Sequence, residues 1–186
     1  ISNNNNSETY FGSQEKTKII LQEIKKIVMD DSNELYIEIQ YIMINIQICK
    51  KLIDFIINYC NNNNKKLIIT TNKYLSDVPD KWYIKTCASI MCIQKQHDNA
   101  IQYIKKNCAN CNIYYLRSKT ENAHIYLHSN FFLSKNILLF TSYNLDYTLD
   151  SELSNECYMI SKDKEIINNF KNKLNNNNKI YTRHRI

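Results

Sequence analysis

The sequence predicts an α/β (α+β) domain built on a central mixed β-sheet flanked by helices on both faces. Three observations predict it. Helix-type and strand-type apolar periodicities alternate from residue 13 to residue 117. Short strand-type runs then cluster between 123 and 161. An amphipathic helical pattern closes the chain's core from about Lys162 to Leu174. Each such element has an apolar face to bury, and a sheet between helical layers buries all of them.

The elements follow in order. Ser13 suits the cap of a first helix whose apolar stripe is Ile20, Ile24, Ile27 and Val28. Leu35 to Met43 alternates, with Leu35, Ile37, Ile39, Tyr41 and Met43 on one face and Glu38 and Gln40 on the other. A second helix, from about Gln47 to Tyr59, is apolar at Cys49, Leu52, Ile53, Ile56 and Ile57. Leu67 to Thr71 reads as a short buried strand. Residues 80–107 read as helix in two pieces, with Ala100, Ile101 and Ile104 facing inward. Asn112 to Arg117 returns to strand, and further strands are expected near 123–133, 137–142 and 156–161. The expected organisation is a flexible segment at 1–12, a single domain at 13–175 and a basic tail at 176–186. Asn tracts at 3–6, 61–64 and 175–178 read as loops or ends. With one glycine (Gly12) and one proline (Pro79), turns that need a positive φ must use Asn, the next most tolerant residue.

The 186 residues suffice for one domain with a true core. No apolar run approaches the roughly 18 residues of a membrane span. The polar start, Ile1 to Asn6, lacks a signal-peptide layout, and the missing initiator Met suits a fragment. The net charge of +6 suits an anionic partner, either nucleic acid or an acidic membrane surface. Seven cysteines, an odd number, point to reduced thiols and a cytoplasmic location. Cys108 and Cys111 have C-x-x-C spacing, but no second pair completes a zinc site, so no metal or cofactor is expected.

The informative stretch runs from Ile125 to Asp146 and on to Ser154–Cys157. His128 is followed by Asn130, then Thr141-Ser142-Tyr143-Asn144, then Glu156. This order resembles the signature of the phospholipase D superfamily: H-x-K-x(4)-D, then G-S-x-N, then a downstream acid. Upstream, Tyr36-Ile-Glu-Ile-Gln-Tyr41 resembles the Y-I-E-N-Q-Y strand in the second catalytic half of eukaryotic-type phospholipases D. Tyr114-Tyr-Leu-Arg117 resembles that half's approach to its motif. The resemblance implies a phospholipase D-like half and a metal-free hydrolase of phosphodiesters. His128 would be nucleophile or general acid/base, Ser142 and Asn144 phosphate donors, and Glu156 an orienting carboxylate.

The sequence departs from the signature in four places. Asn130 stands at the Lys position and brings no charge. Ser134, Lys135 and Asn136 occupy the region of the Asp. The spacing from His128 to Ser142 is one residue short, and Thr141 stands at the Gly position. Asn130 still offers a hydrogen bond to a phosphate. Arg117 and Lys119 are the nearest upstream cations, and His124 lies four residues ahead of His128.

Three readings follow. The first is a phosphodiesterase, acting on phospholipid to give phosphatidic acid plus alcohol, peripheral at membranes. Its second motif would come from a dimer partner or a missing N-terminal half. The second is a degenerate half-domain with a structural or phosphate-binding role; a sharp gain in activity in Asn130→Lys would mean the pocket is otherwise intact. The third is a nucleic-acid binder using the basic tail, recognisable by steep salt dependence.

Overall fold

A computed structural model of the chain describes residues 7–11, 14–72, 88–118, 130–146, 149, 156–176 and 181–185. Eight strands form one sheet: β1 (Ser7–Phe11), β2 (Glu34–Glu38), β3 (Lys66–Asn72), β4 (Cys111–Ser118), β5 (Asn130–Leu133), β6 (Leu138–Thr141), β7 (Cys157–Ser161) and β8 (Tyr181–Arg185). The helices are α1 (Gln14–Val28), α2 (Gln47–Asn62), α3 (Ala88–Asn107) and α4 (Lys164–Asn176). The strand order is β1-β7-β6-β5-β2-β3-β4-β8. β2, β3 and β4 are parallel, joined through α2 and α3, and the remaining pairings are antiparallel. The expected mixed sheet is therefore present.

Helices cover both faces. On one side α1, α2 and α3 press Ile20, Ile24, Leu52, Ile56, Ile101 and Ile104 onto Leu35, Ile37, Leu67, Ile69 and Ile113. On the other, Ile167, Phe170 and Leu174 of α4 cover Tyr36, Phe131, Leu133, Leu138 and Phe140. Here Phe131, Phe140 and Phe170 meet edge to face, with centroids 4.8 to 6.1 Å apart. Glu38 lies on the second face by alternation. It is buried, at 5% exposure.

The long strand expected from Leu35 to Met43 stops at Glu38. Beyond it the alternation fails, and Ile42 and Met43 are both buried. The chain there leaves the ladder and turns inward.

The ends also differ from expectation. The segment 1–12 contributes edge strand β1, and the segment 176–186 contributes edge strand β8, paired with β4 from Tyr114↔Arg185 to Ser118↔Tyr181. Edge strands need no apolar alternation, so neither announced itself in the sequence.

The Asn tract at 61–64 is a structured turn. Asn64 takes φ 50°, the one positive φ on a non-glycine residue among those described, as the scarcity of glycine predicted. The Asn61 carboxamide donates to Asn107 O at 2.8 Å and accepts from Ala109 N at 2.9 Å, tying α2 to the α3–β4 turn. Lys65 follows, 2% exposed. Its ammonium donates to Val28 O and Asp30 O, each at 2.7 Å, and so satisfies carbonyls at the end of α1.

Candidate active site

The strand directions bring one set of ends together. β2 and β6 finish, and β5 and β7 begin, at the same end of the sheet. That is where Asn130, Ser142, Asn144 and Glu156 fall. His128 lies outside the described residues, two positions ahead of Asn130 in the chain, as do Lys119 and His124.

Asn130 is 4% exposed, and both ends of its carboxamide are engaged. Its Oδ1 accepts the Gln40 N–H at 2.9 Å and its Nδ2 donates to the Ser142 carbonyl at 3.3 Å. Ser142 is exposed, and its backbone N–H donates to Cys157 O at 3.0 Å. Its Oγ accepts the Cys157 N–H at 2.9 Å. That clamp sets the backbone of Glu156, the residue before Cys157, beside Ser142. Asn144 is half-buried, with Oδ1 accepting the Tyr41 N–H at 3.1 Å. Leu145 N–H donates to Tyr41 O at 3.1 Å and Met43 N–H to Leu145 O at 2.7 Å, so the turn after β6 is laced to the segment after β2.

Thr141, at the Gly position of the signature, keeps an ordinary backbone, and its Oγ1 accepts the Tyr143 N–H at 3.0 Å. A hydroxyl thus closes the turn locally. Burial pushes the Tyr143 phenol above its ordinary pKa, and a hydrogen bond with Thr17 opposes it.

His97 is the residue that sequence reasoning missed. It is fully buried on α3, with Nδ1 accepting the Ile42 N–H at 3.1 Å and Nε2 3.3 Å from Thr71 Oγ1. Its ring meets Tyr41 edge-on at 6.5 Å. One signal was available: His97 sits on the same helical stripe as Ala100, Ile101 and Ile104, where a polar residue must find partners.

Other candidates sit elsewhere. Cys108 is buried at the end of α3, and its thiol contacts that of Cys111. That contact and burial raise its pKa, which keeps it a thiol. Among the described residues no group of three or more His, Cys, Asp or Glu could hold a metal ion. None of their helices is long and apolar enough to cross a membrane. A cleft of about 760 Å³ opens at the opposite end of β2, between Ser32, Tyr36, Leu133 and Lys171, and holds none of the candidate residues.

No known family profile and no curated protein matches the sequence. Solved structures do match by shape. NucT from Helicobacter pylori superposes with a TM-score of 0.63 at 13% identity, over 95% of this chain and 97% of that one. The phospholipase D family member Nuc from Salmonella typhimurium gives 0.61 at 7% identity, over 97% and 99%. The chain has the phospholipase D fold. A phosphatidylserine synthase from Haemophilus influenzae Rd KW20 gives 0.63 at 14% identity, over 91% of this chain and 36% of its own length. The phospholipase D fold thus spans nearly all of this chain, as it does the whole of NucT and Nuc. The described candidates Asn130, Ser142, Asn144 and Glu156 stand at one end of its sheet.

Proposed function

We propose that the chain is a phosphodiester hydrolase of the phospholipase D type, with a site completed by a second copy. The observation that carries this reading is the convergence of Asn130, Ser142, Asn144 and Glu156 at one sheet end, within a fold shared over their full lengths with NucT and Nuc. One copy carries one His128, and the chemistry calls for two histidines. His128 of one copy attacks phosphorus, and the alcohol leaves with a proton supplied by the partner's His128. That second imidazole then deprotonates the water that cleaves the phospho-histidine. The Ser142 hydroxyl and peptide groups fixed by Asn130 and Asn144 supply the local dipoles for the phosphate oxygens. In this reading Asn130 acts through the peptides it holds, because both ends of its own carboxamide are engaged.

For the substrate we propose phospholipid at a peripheral membrane surface in the cytoplasm, on the likeness of the Tyr36–Tyr41 segment to the lipid-cleaving type. A nucleic-acid backbone is the second reading, favoured by Arg183 and Arg185 on β8 and by the net charge of +6.

The test is hydrolysis of bis(p-nitrophenyl) phosphate, phosphatidylcholine vesicles and single-stranded DNA by the wild type and His128→Ala, at several protein concentrations. Loss of the nucleophile is expected to lower turnover at least about 10³-fold. Wild-type rates should rise faster than linearly with concentration until pairing saturates. Equal rates for the two proteins would end the hydrolase reading, and the substrate that turns over decides between the two classes.

A further inference from the structure

Three consecutive peptide N–H groups after β2 are held by side chains from three different parts of the fold. Asn130 takes that of Gln40, Asn144 that of Tyr41 and His97 that of Ile42. Asn130 and Asn144 belong to the signature region. His97 reaches in from α3, 55 residues along the chain from Ile42.

The chemistry fixes the state of the ring. A peptide N–H can only donate, so the Nδ1 that receives Ile42 carries no proton and Nε2 carries one. Nε2–H then donates to Thr71 Oγ1 across 3.3 Å, and the Thr71 hydroxyl donates in turn to the Gln40 carbonyl at 3.4 Å. One imidazole therefore grips both ends of the segment, the Ile42 N–H directly and the Gln40 C=O through Thr71. Between these grips lie two half-buried polar side chains, with the Gln40 carboxamide donating to the Tyr41 hydroxyl at 3.1 Å.

We infer that His97 is a positioning residue for the site. It fixes the backbone from Gln40 to Ile42 so that Gln40 and Tyr41 form the wall against which the phosphodiester lies. This inference rests on the hydrolase reading for its consequence in turnover, and on geometry alone for its consequence in the backbone. Neutral His97 acts through the peptide groups and exchanges no proton with substrate.

Two substitutions separate the grips. His97→Asn keeps an acceptor near the Nδ1 position and can still take the Ile42 N–H. His97→Gln keeps a donor near Nε2 and loses that bond. The readouts are backbone amide hydrogen exchange at Gln40, Tyr41 and Ile42, and kcat and KM on bis(p-nitrophenyl) phosphate. In His97→Gln, exchange at Tyr41 and Ile42 should quicken at least about tenfold while amides of β7 and α1 keep their wild-type rates. Its kcat should fall by about 10- to 100-fold, the usual cost of removing a supporting residue, with KM little changed. His97→Asn should recover most of both.

Wild-type exchange in His97→Gln, or equal acceleration throughout the sheet, would overturn the inference. So would a His97→Asn no better than His97→Gln. A wild type with no turnover on any substrate would end the hydrolase reading instead. The exchange rates would then still decide whether His97 holds the segment.

Discussion

At the scale of the residue, Asn130 explains its own presence. The position needs an acceptor for the Gln40 N–H and a donor for the Ser142 carbonyl, and a carboxamide offers both. A lysine offers donors only. Restoring the signature's charge with Asn130→Lys should therefore strip the Gln40 N–H of its partner inside a site that is 4% exposed. We expect a stability loss of about 1–3 kcal/mol in urea unfolding and no gain in phosphodiester hydrolysis. Unchanged stability together with a tenfold rise in hydrolysis would show that the pocket adapts to the cation. Residue type and order singled out Asn130, Ser142, Asn144 and Glu156, which fall at one end of the sheet. They gave no view of what each amide touches. His97 escaped because its partners, the Ile42 N–H and the Thr71 hydroxyl, are remote in sequence, and spacing within a helix carries no trace of them.

At the scale of the element, the segments outside the regular structure do the joining. Asp30, after α1, accepts from the Asn136 backbone N–H at 3.2 Å and from its side chain at 3.0 Å, linking the entry to β2 with the β5–β6 turn. Burial works against the Asp30 charge, but hydrogen bonds from Ser134 and Asn136 outweigh it and hold the carboxyl below its ordinary 3.8. A carboxyl lowered on folding lends stability above its unfolded pKa and loses it as the pH falls through the folded value. Asp30→Asn should therefore flatten the fall in Tm between about pH 4 and pH 2 relative to the wild type. Parallel slopes would mean that other carboxylates govern the acid limb. The helices were legible because their apolar stripes meet a single surface, as Ile20, Ile24 and Ile27 do. The end of β2 was not. Alternation reports two covered faces only while the chain stays in the ladder, and past Glu38 side-chain amides replace the neighbouring strand.

At the scale of the whole molecule, the sheet is parallel at β2–β3–β4 and antiparallel on both flanks. β8 closes the β4 edge, so residues 181–185 belong to the fold and are no mere appendage. Ending the chain after Asn176 would leave the β4 edge with unpaired N–H and C=O groups. We expect Tm to fall by at least about 3 °C, equivalent to about 1 kcal/mol for a chain of this size, with larger species visible in light scattering. A truncated protein that melts like the wild type and stays monodisperse would show that β8 adds nothing. The shortened chain also sharpens the choice of substrate, since losing DNA binding without losing stability would assign anion binding to residues 177–186. The mixed sheet and its two helical layers were readable from the order of periodicities. The two edge strands were not, because an edge buries too little to leave a pattern.

The two cores are unequal. The larger rests on three helices from separate parts of the chain, whereas among the described residues the smaller rests on α4 alone, through Phe170, Ile167 and Leu174. The phenyl trio of Phe131, Phe140 and Phe170 is therefore also a latch. Release of that one helix, well short of global unfolding, would bare an apolar strip across β2, β5 and β6. Clumping on mild warming would begin from that strip, with the larger core still closed.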